Sequence, residues 1–365
     1  MRIAVLGGGH GCYAAAAELA EKGHEIRWWR RDAGDFAALR ERGSLQLCDF
    51  RGERDVRIGS LTSDLAEAVA EAGLIVIPLP ATTHDSLAQG LAPLLRDGQV
   101  VFLPPGTFGS YIFLKAMRAV GNTADVSFAE TGTLPYLARK HSPTRVVVSA
   151  YATRLPTGVL PARNVDLAMQ VLREAYPSVQ PIEDALSGAL MNAGPVIHPP
   201  LIIMNAGPLE HFERWDIHNE GTQTAIRRVT DALDNERIAV RESLGYGAPH
   251  FPLRDHYAKS GDEWMYGRAA HERLTDSGDW REKIVLTEHR YMLEDLRLGL
   301  SFLVSLGQWC GVPTPLAAGF LAIGSAITGR DFLREGRSLD TLGLAQSSRA
   351  EMQKLLQQGI VPIGK

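Results

Sequence analysis

The sequence predicts an α/β protein with an N-terminal doubly wound Rossmann-type parallel sheet and an all-α C-terminal domain, and three observations predict it. The chain opens on strand, glycine turn, helix and strand in "RIAVLGGGHGCYAAAAELAEKGHEIRWWRRD". Apolar strand runs then alternate with helical stretches, the pattern of a doubly wound sheet. After "PSVQPIED" strand signals fade and helical periodicities take over. A length of 365 residues exceeds one ordinary core and fits two domains. The change of pattern puts their boundary near Glu183, giving 1–183 and 184–365.

Taken in order, "RIAVL" is a buried strand, and the alanine-rich helix after the glycines ends near Gly23 before a second strand. "TSDLAEAVAEAG" has the polar start of a helix. "LIVIPLP" is continuously apolar, as a strand covered on both faces must be. Further strands are expected at "GQVVFLPPG", "ADVSFAE" and "TRVVVSAYA". In the helical domain, "KIVLTEHRYMLEDLRLGLSFLVSLGQWCG" reads as one long helix and "VPTPLAAGFLAIGSAITG" as a small-residue, tightly packed one.

Composition narrows the partners. With 38 basic and 42 acidic residues the net charge is −4, which offers nothing to a nucleic acid or an anionic membrane surface. A small-molecule ligand is expected. Three widely spaced cysteines argue against a disulfide framework and against a thiolate metal site, and point to a reducing, cytoplasmic setting. The N-terminus reaches glycines too soon for a signal peptide. Later apolar runs fall short of the roughly 20 residues of a membrane span.

The glycine turn carries the first chemistry. In "VLGGGHGC" the G-x-G-x-x-G pattern of dinucleotide binders falls on Gly7 and Gly9, with Cys12 in the third place. The first glycine allows a tight turn, the second lets a pyrophosphate approach the backbone, and the third permits close packing of helix on strand. His10 and Gly11 complete the loop. NAD binders commonly end the second strand on an acid that takes the ribose hydroxyl, whereas this chain reads Trp29, Arg30, Arg31, Asp32. Arginines there suit a 2'-phosphate, so NADP is favoured over NAD; the alternative is that both are solvated and Asp32 takes the hydroxyl. Pro80 and His84, in "LPATTH", follow a strand's carboxyl end, where open sheets bind ligands, and are assigned beside the cofactor.

The second site candidate is "GPVIHPP", which sets His198 before two prolines. Pro199 biases His198 to extended backbone, and "PPLIIMNAG" then starts a helix with the imidazole at its mouth. A histidine capping a helix in a packed core is the plain alternative.

These motifs, taken together, give the chain a resemblance to the opine dehydrogenase family, also called the octopine/nopaline dehydrogenase family. The likeness is carried by "GGGHG", "LPATTH", "PPGTFGS", "AETGTLPYLAR", "NAGPVIHPPLIIMNAG", "HRYMLEDLRLGL", "GVPTPL" and "GRDFLREGRSLDTLGL". It implies reductive condensation of an α-keto acid with the amino group of an amino acid, using NADPH or NADH. It further implies His198 as catalytic acid/base, Asp295 as its partner and Arg290 as the fork holding the keto-acid carboxylate. Glu130 and Asn192 match substrate-side positions. Trp264, in "GDEWMYG", is a candidate cover for the amino substrate or an anchor of its loop. Gly194 departs from the many members with asparagine there, which bears on substrate contacts. Arg290 and Glu294 are also spaced for an ordinary helix-surface pair. A ketopantoate-reductase-like enzyme without condensation, and a non-catalytic sensor of nicotinamide redox state, share the layout. A homodimer is left open.

Overall fold

In a computed structural model, residues 1–362 are described, and their contacts divide them into two units. The first opens with β1 (Arg2–Leu6), α1 (His10–Glu21) and β2 (Glu25–Trp29), followed by α2 (Ala37–Arg42), β3 (Leu45–Asp49), β4 (Gly52–Val56) and β5 (Ser60–Thr62). Then come α3 (Leu65–Val69), β6 (Leu74–Val76), α4 (His84–Leu91), β7 (Val100–Leu103), α5 (Gly109–Ala119) and β8 (Ser127–Thr131). It ends with β9 (Tyr136–Ser142), β10 (Arg145–Tyr151), β11 (Leu155–Leu160), α6 (Val165–Ala175), β12 (Val179–Pro181) and α7 (Ala185–Ala189).

The main sheet runs β12-β11-β8-β7-β6-β1-β2-β5 and is parallel except where β11 meets β8. Strand order reverses between β6 and β1, so the loops after these strands flank the crevice where such sheets bind ligands. "TRVVVSAYA" forms β10, but in a second, four-stranded sheet, β4-β3-β10-β9, rather than in the parallel one. That sheet explains the composition of α1. The helix packs on β9, β10 and β3 as well as on β1 and β2, and Ala14, Ala15, Ala16 and Ala17 are fully buried. A helix covered on all sides needs small residues wherever strands press from both faces.

The first unit extends beyond Glu183 to Ala189, because α7 packs on β11 and β8. A Cβ on Gly158 of β11 would overlap the Asp184 carbonyl, so the glycine is what lets this segment lie so close. Residues 356–359 join the first unit and residues 80–82 the second.

The second unit has no strand among its described residues. Its elements include α8 (Gly194–Ile203) and helices Thr224–Ser243, Ser301–Cys310 and Pro315–Thr328. Buried polar groups are pinned to backbone. Glu236 accepts the N–H groups of Leu316 and Ala317 at 2.7 and 3.0 Å, capping the helix that starts at Pro315. Asp234 bridges Arg237 and the Leu253 N–H, both at 2.6 Å. The expected single helix from Lys283 onward is not formed. Residues 283–285 have no regular structure, Tyr291–Leu300 winds as a π-helix, and an α-helix resumes at Ser301. Among the described residues no single helix is long and apolar enough to cross a membrane.

Candidate active site

In the first unit the glycine loop after β1 is built for close approach. Gly7 has φ +114°, and a Cβ there would stand 2.8 Å from Leu79 Cγ, so only glycine fits both the conformation and the space. Trp28 is fully buried and donates its Nε1–H to the Gly7 carbonyl at 2.7 Å, fixing the turn from below. Nothing lies within 4 Å of where a Gly9 Cβ would be, which leaves the start of α1 open to a ligand. Backbone N–H groups at a helix start attract a pyrophosphate. Close packing falls to two residues. Gly11 faces Leu134 and Pro78, and Cys12 lies fully buried with its thiol 3.5 Å from the Leu6 carbonyl. Burial pushes that thiol up to about 12, so Cys12 stays protonated and acts by packing. His10 Nδ1 accepts the Lys140 N–H at 2.9 Å, tying the helix start to β9. These features fit a bound dinucleotide.

The two arginines after β2 separate. Arg30 is held: Nη2 pairs with Asp35 at 2.8 Å, Nη1 donates to the Asp35 carbonyl at 2.9 Å, and the guanidinium lies over Gly8. Arg31 is exposed. Asp32 uses Oδ1 to accept the Gly34 N–H at 2.7 Å, starting a short 3-10 turn.

Two residues of this unit assigned from the sequence to ligand contacts are fully buried. His84 is fully buried between helices, so close to Gly109 that a Cβ there would stand 2.8 Å from its Cε1, and its ring packs on Phe113. Glu130 is also fully buried, and its two oxygens accept the N–H groups of Phe108 (2.8 Å) and Ser110 (2.6 Å). The loop it holds contains Thr107 and Phe108, both non-glycine residues with positive φ. Such backbone costs about 1–3 kcal/mol per residue and persists only where its surroundings impose it. Glu130 supplies that constraint.

In the second unit His198 and Asp295, 97 residues apart, are brought to 2.7 Å between Nδ1 and Oδ2. His198 is neither extended nor at a helix mouth. It is the fifth residue of α8, which continues through Pro199 and Pro200. The reason is position in the helix: Val196 and Ile197 already bond the Ala193 carbonyl, so the turn is established before the prolines arrive. The imidazole therefore does not stand at the helix mouth beside the positive dipole end, and its environment comes from the π-helix. An i→i+5 winding adds a residue to each turn, which draws Arg290 and Asp295, five apart, toward one face. In an α-helix they would lie about 140° apart.

Asp295 is buried, and burial pushes its carboxyl up to about 7 against the opposing pull of Arg290 and His289. Tyr291 stacks on the His198 ring, centroids 3.7 Å apart and planes 16° from parallel. His218 meets the ring edge-on at 5.9 Å. His289 packs on Tyr291 at 4.4 Å, and burial pushes it down to about 4. Arg290 pairs with Glu294 at 3.1 Å, but this is no surface pair, because Glu294 is buried and accepts the Ala81 N–H at 2.7 Å. Arg337 donates to the Ala81 carbonyl at 2.9 Å, so the backbone next to Pro80 is held at both ends. Asn192 Oδ1 accepts the Gly194 N–H at 3.0 Å. Trp264 is buried with its Nε1–H on the Phe251 carbonyl at 3.1 Å and its ring on His256, which makes it an anchor of its loop. Tyr291, His218, His289 and Glu294 were not read from the sequence as site residues; adjacency to Arg290 in "HRYMLED" was the available signal for three of them. Among the described residues no group of three or more His, Cys, Asp or Glu could hold a metal ion.

A Rossmann-type unit with an open glycine loop, joined in one chain to a helical unit in which a half-buried histidine meets a buried aspartate, defines an NAD(P)-dependent oxidoreductase. Residues 181–328 match the NAD/NADP octopine/nopaline dehydrogenase alpha-helical domain, and residues 2–104 the N-terminus of NAD-dependent glycerol-3-phosphate dehydrogenase. An opine dehydrogenase of Arthrobacter sp. (strain 1C) is 30% identical over 97% of this chain and 98% of its own. The chain therefore belongs to the opine dehydrogenase family. Octopine dehydrogenase with NADH and agmatine shares the fold at TM-score 0.76 and 19% identity, covering 100% of this chain and 99% of that one. Yersinopine dehydrogenase with NADP+ does so at 0.66 and 15%, covering 98% of each chain.

Proposed function

We propose that His198 is the acid/base of an NADPH-preferring condensation in which a small α-keto acid, such as pyruvate, and an amino acid give an N-(carboxyalkyl) amino acid. The observation that carries it is the His198–Asp295 contact at 2.7 Å, with the carboxylate buried and the imidazole partly exposed. Addition of the amine to the keto carbon gives a carbinolamine, which loses water to form a C=N bond. Loss of water needs a proton delivered to the departing hydroxyl, and an imidazole held in one orientation delivers it without a search. Asp295 holds Nδ1, so Nε2 is the nitrogen presented for that transfer. Tyr291 covers one face of the ring. Arg290, its side chain 43% exposed, has N–H groups beyond the Glu294 contact with which to fork a carboxylate. Gly7, Gly9, Gly11 and Cys12 would seat the cofactor, which when bound supplies the hydride that reduces the C=N bond. Octopine dehydrogenase has been solved with NADH and L-arginine, agmatine or pyruvate, which supports the same substrate classes here.

The NADPH preference is supported by exposed Arg31, by Arg30 braced across Gly8, and by the local bond that occupies Asp32. A reducing, cytoplasmic setting belongs to the same proposal, supported by three free cysteines. The test follows NADPH absorbance with pyruvate, with and without a panel of amino acids, and weighs the product. The mass expected is keto acid plus amine, less water, plus two hydrogens. A 2-hydroxy acid as sole product across the panel would move the chain to simple keto-acid reduction.

A further inference from the structure

Two helices of the second unit meet through a pair of glycines, one from each. A Cβ built on Gly299 of the π-helix would overlap Pro195 of α8, 2.7 Å from its Cβ. A Cβ on Gly194 of α8 would overlap Asp295 Oδ1 and stand 3.0 Å from its Cγ and 3.3 Å from Asn192 Oδ1. Gly194 is the first residue of α8 and does not have positive φ, so its backbone makes no demand for glycine. Alanine is the better helix former. What glycine supplies is space, and the space is taken by the carboxylate that meets His198.

We propose that Gly194 is a positioning residue, whose missing side chain sets where the Asp295 carboxylate lies and so maintains its contact with His198. The proposal rests on the reading of His198 and Asp295 as the acid/base pair. Asp295 Oδ2 is on the imidazole, Oδ1 abuts the Gly194 backbone, and the bond from Gly194 N–H to Asn192 Oδ1 pins the glycine itself. A methyl at 194 must be accommodated by something, and the end of a short side chain turns more readily than a helix backbone moves. The carboxylate therefore leaves the ring. At Gly299 the neighbour is a proline ring that cannot turn away, so the same substitution there separates the helices.

The test compares Gly194→Ala, Gly299→Ala, Asp295→Ala and the double variant Gly194→Ala/Asp295→Ala in the full chain. Gly194→Ala is expected to lower kcat by about tenfold or more and to shift the histidine limb of the pH-rate profile. Cofactor affinity should be unchanged, and the downfield NMR signal of the His198 Nδ1 proton should be lost. Gly299→Ala should lower the thermal midpoint instead. In the Asp295→Ala background, Gly194→Ala should cost no more than about twofold, since no carboxylate remains to displace. Any midpoint lost in the single variant should return there for the same reason. Unchanged kcat and pH profile in Gly194→Ala, beside a slow Asp295→Ala enzyme, overturns the proposal and leaves the acid/base reading standing. Losses that multiply in full, or a midpoint that stays low in the double variant, overturn it too. Full rate in Asp295→Ala sinks the acid/base reading, and the proposal with it.

Discussion

Glu130 on β8 and Asp295 on the π-helix are both carboxylates withdrawn from solvent, yet they meet different partners. Glu130 spends both oxygens on the N–H groups of Phe108 and Ser110, and a Cβ on Gly106 would stand 2.7 Å from its Cγ, so the loop is wrapped around it. Asp295 gives one oxygen to an imidazole and lays the other against Gly194. Backbone amides cannot give up a proton near neutral pH, whereas an imidazole can. Both are buried carboxylates, and on the reading proposed for His198 and Asp295 the partner decides whether such an acid holds a loop or tunes a proton.

His198→Ala is expected to lower kcat by ~10²–10⁴-fold while leaving the NADPH dissociation constant unchanged. Steady-state kinetics with fluorescence titration of the cofactor checks both, and a retained kcat would dissolve the distinction between the two carboxylates.

Glu130→Ala tests the other side. It strands two buried N–H groups at about 1–3 kcal/mol each, so its urea midpoint should fall further than that of Asp295→Asn. A Glu130→Ala protein that kept its stability and lost only KM for the amino acid would return Glu130 to the substrate.

Asp295→Asn should lower kcat by roughly tenfold or more and lower the apparent histidine pKa, because the ring loses its acceptor charge. Combined with His198→Ala it should add little, since groups acting as a unit are non-additive. Arg31→Ala should weaken NADPH by roughly tenfold, the worth of one charge-assisted bond, and spare NADH. Equal loss with both cofactors would show that Arg31 does not read the 2'-phosphate.

The smallest effect concerns stability and pH. Burial raises Asp295 to about 7, so the folded chain holds this proton more tightly than the unfolded one. The stability it contributes is complete below the ordinary carboxylate range and is lost as pH rises through 7. His289, depressed to about 4, runs the other way: its contribution is present above the ordinary imidazole range and is lost as pH falls through 4. Asp295→Asn should therefore gain on the parent protein between pH 4 and pH 8, as urea midpoints at both values would show. An Asp295→Asn midpoint that falls further behind the parent's as pH rises would contradict the burial of this carboxyl.

Short-range pattern along the chain carries the opening elements. Strand, glycine turn and helix over "RIAVLGGGHGCYAAAA" follow from local periodicity and from glycine's tolerance of positive φ, and the motif order names the family. The side-chain partnerships come from long-range packing. "LPATTH" does not show that His84 is sealed against Gly109 and Phe113, and "AETG" does not show that Glu130 is consumed by a loop some twenty residues earlier in the chain. "HRYMLEDLRLGL" reads as α-helix, because apolar spacing does not separate an i→i+4 from an i→i+5 winding over ten residues. The approach of Asp295 to His198 depends on two helices 97 residues apart in sequence coming together where Gly194 and Gly299 leave room. Propensity and periodicity are properties of neighbours along the chain. Contact between a carboxylate and an imidazole is set by packing, and packing is settled only when the whole unit has folded.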